Sequence, residues 1–183
     1  MFLLLLTASL FSCSFTGKQV KKDKNIIYWS KEVKLTWDDF RGDEKDLIGS
    51  QSAVASVTFN YTETFSGDIT ILATFNKKES LKRKQDISDE LLRHEQYHFN
   101  IAELFARKLK RDLSQIDVIS SANYIKERYD FFYNEYVIYQ ELYDKETNHS
   151  KNVSKQKEWE DSIEKQLIEN SKFSKATISV KFK

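Results

Sequence analysis

No proline interrupts the 183 residues, and glycine occurs only four times. Proline breaks the helical hydrogen-bond ladder and glycine weakens it, so a chain this poor in both is free to run long helices. From Asp86 onward the apolar period is helical. Leu91, Leu92, His98, Ile101, Ala102, Phe105 and Leu109 recur at three and four, which predicts a helix over 87–113. Asp86 or Ser88 caps it, Asp89 and Glu90 suit its positive first turn, and Lys108, Lys110 and Arg111 suit its last turns. A second helix is predicted over 121–145, with Ile125, Tyr129, Phe132, Tyr136, Tyr139 and Tyr143 as a packing stripe. After a polar break from Lys145 to Val153, a third starts near Ser154 with Trp159, Ile163 and Leu167 at spacing four.

The segment before the helices reads differently. Ile26 to about Thr36 alternates loosely and holds a short strand, and Gly42 stops the Trp37–Arg41 segment. Val57, Phe59 and Tyr61 share one face at period two, Ser66-Gly67-Asp68 supplies a turn, and Ile69 to Phe75 returns. This is a β-hairpin, and its strands offer an edge on which an extended peptide could lie. Ala176 to Phe182 alternates and adds a short strand. The expected class is α+β: a small antiparallel sheet followed by long helices, in one domain over 26–183.

Phe2 to Phe11 is an uncharged run of ten residues, too short to span a bilayer and of the length of a signal-peptide core. Phe2 follows Met1 directly, so the start lies upstream or the signal is atypical. The run ends in Leu10-Phe11-Ser12-Cys13, which resembles a bacterial lipobox. That resemblance makes residues 1–13 a signal peptide with Cys13 as a lipidated first mature residue, and 14–25 a polar, basic tether. The expected location is the bacterial cell envelope. Export and a net charge of +1 argue against a nucleic-acid partner.

A single cysteine excludes an internal disulfide and any multi-cysteine zinc site, and there are only three histidines. Two of them form His94-Glu95-Gln96-Tyr97-His98 inside the strongest predicted helix. Positions four apart differ by about 40° around a helix, so the two imidazoles project side by side and can bind one Zn²⁺. Glu95 lies about 100° from His94, beside the metal, where a carboxylate can take a proton from water and return it to a leaving amine. A zinc hydrolase needs a third protein ligand. Glu103 lies about 180° around the helix from His94 and is expected to pair with Arg107 instead. His149, Asp144 and Glu146 remain as candidates.

Three segments together resemble a bacterial family of unknown-function domains described as predicted secreted zinc-dependent proteases. They are Leu35-Thr36-Trp37-Asp38-Asp39-Phe40-Arg41-Gly42, the run from Leu91 through His94-Glu95-Gln96-Tyr97-His98 to Glu103, and Tyr143-Asp144-Lys145-Glu146-Thr147-Asn148-His149, with a trailing Gln156…Trp159. The resemblance implies a zincin-like fold over nearly the whole mature chain and His149 as third ligand. The family usually has glycine after that histidine, where this chain has Ser150.

The expected function is that of an envelope-anchored zinc peptidase with one Zn²⁺ per chain, a peptide or protein substrate, and Glu95 as general base. Tyr143 is a candidate oxyanion donor and Asp144 a candidate for orienting a ligand imidazole. The alternative is a non-catalytic zinc-binding or protein-binding lipoprotein, whose closed site would take a fourth protein ligand.

Overall fold

The computed structural model describes residues 23–64, 66–119 and 121–182. The proposed signal peptide, Cys13 and most of the tether lie outside the described residues. Among the described residues, no helix is long and apolar enough to cross a membrane.

The elements in chain order are β1 (Ile26–Tyr28), β2 (Ala53–Val54), β3 (Val57–Glu63), β4 (Asp68–Asn76), β5 (Leu81–Lys82), α1 (Asp89–Ser114), α2 (Ala122–Thr147), α3 (Val153–Glu169) and β6 (Thr177–Ser179). The class is α+β, an antiparallel sheet followed by three helices. β4 is the middle strand. β3 pairs along one side of it, from Val57↔Phe75 to Glu63↔Ile69, as the hairpin pattern predicts. β1 and β6 share its other side, β1 against Thr74–Asn76 and β6 against Asp68–Thr70. Ile69, Ile71, Ala73 and Phe75 of β4 are all buried, so one face of the sheet carries the apolar half of a period-two pattern.

That face packs on α1, where Phe75 meets Phe99 with ring centroids 6.0 Å apart. α1 is capped by Ser88, whose side chain accepts from the Leu91 N–H. Sixteen of its 26 residues are buried, far more than one amphipathic stripe. The reason is topological: the sheet covers one side of α1 and α2 and α3 cover the other. Polar groups buried there are paired. Arg107 Nε donates to Glu103 at 2.7 Å, the pairing expected from the sequence, and Lys110 donates to the Lys175 carbonyl at 3.0 Å.

Two features bear on the site. The outer edge of β3 is not free for a peptide, contrary to the expectation from the hairpin. Tyr136 donates to the Val57 carbonyl at 2.8 Å and Tyr129 to the Phe59 carbonyl at 3.1 Å, so α2 covers that edge. The second is a two-stranded ribbon of β2 and β5, whose strands are too short to be marked by alternation. The Trp37–Gly42 segment packs beside it. A Cβ on Gly42 would stand 2.2 Å from Leu81 Cδ2 and 2.9 Å from the Lys78 carbonyl, so glycine alone fits there.

Candidate metal centre

One turn of α1 sets the geometry. The rings of His94 and His98 stand 4.7 Å apart with their planes at 90°, and their Nε2 atoms are 3.1 Å apart. α2 packs along α1 and brings in Asp144, whose Oδ1 lies 3.0 Å from each of the two Nε2 atoms. The chain then reverses after α2 and returns His149, with Nδ1 3.3 Å from the same oxygen. Donor atoms of His94, Asp144 and His149 all lie within 4.8 Å of one another. Nitrogen and oxygen ligands at 2.0–2.1 Å from a tetrahedral ion stand about 3.3 Å apart, so this donor set has the spacing and chemistry to hold a metal ion.

The reversal has a backbone cost. Asn148, His149 and Ser150 have φ of 48°, 50° and 73°, the left-handed region. Ser150, with φ of 73°, holds a conformation that favours glycine.

The charges are balanced without a metal. Burial pushes His98 down, but the Asp144 carboxylate outweighs it and holds the imidazole up at about 9. Burial drives His94 down to about 4, against the pull of Asp144. Asp144, despite its burial, is held well below the usual carboxylate range by His98 and by its contact with His94. One ring therefore carries a proton and the other does not. A metal entering here displaces that proton.

Glu95 is 3% exposed and is the odd member of this group. Its Oε2 accepts from the Ala55 N–H at 2.7 Å, and among the described residues no cation forms an ion pair with it. Burial pushes its carboxyl up to about 7, against His98 and the Ala55 bond.

Residues 16–150 match the model of a family described as bacterial protein of unknown function (DUF922). The chain belongs to this family. No curated protein and no solved structure matches it. The family match spans α1, α2 and the His149 loop and stops at Ser150. It therefore falls short of the Gln156…Trp159 segment, which the resemblance was expected to include.

Tyr143 is not presented to a solute: its ring is fully buried, stacks on His94 at 4.5 Å and 17°, and its hydroxyl donates to the His94 carbonyl at 3.4 Å. It packs and orients the histidine. Asp144 stands among the converging donor atoms and not behind them, the position of the ligand candidate that the sequence offered beside its orienting role. Glu146 accepts from Trp159 Nε1 at 2.9 Å and is thereby engaged outside the cluster.

The residue that the sequence hid is Gln140. His98 Nδ1 donates to Gln140 Oε1 at 2.6 Å, and Gln140 Nε2 donates to the His98 carbonyl at 3.1 Å. This two-point grip fixes the ring and keeps its Nδ1 proton away from the donor cluster. Gln96 and Asn100 were likewise silent. Gln96 Oε1 accepts from the Leu35 N–H at 2.8 Å and Asn100 Oδ1 accepts from Trp29 Nε1 at 2.9 Å, which clamps the amino-terminal segment onto the histidine-bearing helix.

Proposed function

We propose that the protein is a zinc-dependent hydrolase of peptide bonds, with His94, His98 and His149 holding the ion and Glu95 moving the proton. The observation that carries this reading is Glu95: a buried carboxylate without an ion-pair partner among the described residues, on the same helical turn as the two imidazoles. A purely structural histidine pair needs no acid there, and burying one is costly. Zinc, when bound, supplies a Lewis acid and a hydroxide nucleophile near neutral pH. The Ala55 N–H fixes Oε2 of Glu95, which leaves Oε1 to take a proton from water and pass it to a leaving amine. A carboxyl raised to about 7 is suited to both halves of that transfer.

β2 supports a peptide substrate. Ser52 and Ser56 use their carbonyls on the β5 and β4 side, so ladder alternation turns the backbone groups of Ala53 and Ala55 the other way. The Ala55 N–H already points to Glu95. An extended chain lying along this side of β2 would pass the carboxylate.

The test is Glu95→Gln in zinc-loaded protein. Zinc content and thermal stability stay at wild-type levels, and cleavage of an unstructured peptide library falls by about 10²–10⁴-fold. A variant as active as wild type sinks the assignment. A second reading is favoured by Asp144, whose carboxylate stands at ligand spacing from both helix histidines: a closed, non-catalytic metal site. Wild-type protein that holds zinc and cleaves no peptide supports that reading.

A further inference from the structure

The ribbon that carries Ala55 has a second side. Between the loop 41–45 and residues 82–84 lies a cleft of about 670 Å³. Its lining holds five cations, Arg41, Lys45, Lys82, Arg83 and Lys84, against two carboxylates. In a chain whose net charge is only +1, this is a local concentration of positive charge.

Three of the cations are held in place by neutral groups. Arg83 donates to the Gln51 carbonyl at 2.7 Å and to the Gly49 carbonyl at 2.8 Å. Lys82 donates to the Trp37 carbonyl, and Arg41 Nε to the Asp38 carbonyl at 3.1 Å. Carbonyls position a cation without cancelling its charge. The one carboxylate contact is loose, Lys45 to Asp43 at 4.0 Å between exposed side chains. Side chains already fixed lose little entropy when an anion arrives, so Arg41, Lys82 and Arg83 are preorganised for one, with the exposed Lys45 and Lys84 beside them.

Its place in the fold selects the anion. β5 is bonded to β2, and the residue after β2 donates to Glu95. The cleft is thus one two-stranded ribbon away from Glu95, within reach of a few extended residues at about 3.3 Å each. We propose that this cleft binds an acidic stretch of the polypeptide substrate, some residues away from the bond that is cut. The choice of a polypeptide rests on the peptidase reading; the binding of negative charge does not.

The test uses full-length Glu95→Gln protein, which binds without cutting, and three fluorescein-labelled octapeptides: all-glutamate, all-lysine and alternating Gly-Ser. Anisotropy titrations are expected to show the glutamate peptide binding at least about tenfold more tightly than the others, with affinity falling between 50 and 200 mM salt. Lys45→Glu/Lys84→Glu, both exposed positions, is expected to remove that preference with an unchanged circular dichroism spectrum. Equal affinity for the three peptides overturns the proposal, and so does an acidic preference that survives the double reversal. Preference for RNA or for phosphatidylglycerol vesicles over the glutamate peptide overturns it as well. The peptidase reading fails separately: if wild-type protein binds the glutamate peptide through these lysines and cuts nothing, the cleft stands and the hydrolase does not.

Discussion

Gln140 offers the most direct probe of how the site is set for a metal. It accepts from His98 Nδ1 at 2.6 Å and donates to the His98 carbonyl at 3.1 Å. Once a metal has displaced the second proton of His98, the Nδ1–H held by Gln140 would leave the Nε2 lone pair to the ion, on the side where His94 Nε2 stands 3.1 Å and Asp144 Oδ1 3.0 Å away. Without Gln140 the Nδ1–H tautomer that the ion requires loses its acceptor, and the neutral ring favours the Nε2–H form, which donates to Asp144 and competes with the metal. Loss of such an orienting partner lowers metal affinity by about 10–100-fold, which is about 1.4–2.7 kcal/mol. Gln140→Leu is expected to weaken zinc binding by that factor at pH 7, measured by competition with a fluorescent chelator. Gln140→Glu keeps an acceptor for Nδ1–H and gives it charge, so its affinity stays at or above wild type. Thermal unfolding of the metal-free proteins separates a packing effect, since a lost hydrogen bond costs the fold only about 0.5–1.5 kcal/mol. The reasoning is refuted if Gln140→Leu binds zinc as wild type does. It is equally refuted if Gln140→Glu falls as far as Gln140→Leu, because then the tautomer is not what Gln140 controls.

The ligand set is separable by two further variants. His149→Ala is expected to lower zinc affinity by more than the roughly 100-fold seen for an outer partner. Asp144→Asn, which keeps shape and loses charge, falls by about 10–100-fold if Asp144 only orients the rings, and as far as His149→Ala if it binds the ion; chelator competition reads both, and unchanged affinity in His149→Ala removes His149 from the set. Ser150→Gly relieves about 1–2 kcal/mol of left-handed strain and costs about 0.5–1 kcal/mol of backbone entropy. A rise in the unfolding midpoint of up to about 4 °C follows, and a fall would contradict the strain argument.

Much of this was readable because periodicity and spacing are local. The three helices are where an unbroken 3.6 period places them, and Ser88 caps α1. Glu103 pairs with Arg107 because the helix allows it nothing else in the cluster. What was hidden depends on which elements lie side by side. Gln140 is 42 residues from His98 and belongs to no motif; only the packing of α2 on α1 brings it there. Tyr129 and Tyr136 read as packing stripe, and the stripe is real, but their hydroxyls also satisfy the edge of β3. β2 and β5 contribute two residues each to their ribbon, below the length at which alternation marks a strand. The role of Asp144 turns on a side-chain rotamer, which no spacing rule fixes.

The loop after α2 sets the position of His149. Thr147 ends one helix and Val153 begins the next, so the chain must turn back within five residues. A helix commonly ends on a single left-handed residue, and Asn148 meets that need, with its N–H and that of His149 directed to the last carbonyls of α2. The left-handed conformation does not stop there. His149 and Ser150 continue it, at about 1–2 kcal/mol each for residues with a Cβ. Strain of that size persists only where the surroundings over-determine it, and such positions cluster at functional sites. Here the outcome of the strain is specific: an imidazole that is 67% exposed is bent back until its Nδ1 stands 3.3 Å from Asp144 Oδ1. His94 and His98 need no such help, because α1 presents them together and Tyr143 and Gln140 hold them. The two helix histidines therefore form the rigid half of the donor set, and His149 the exposed half that a metal would engage last.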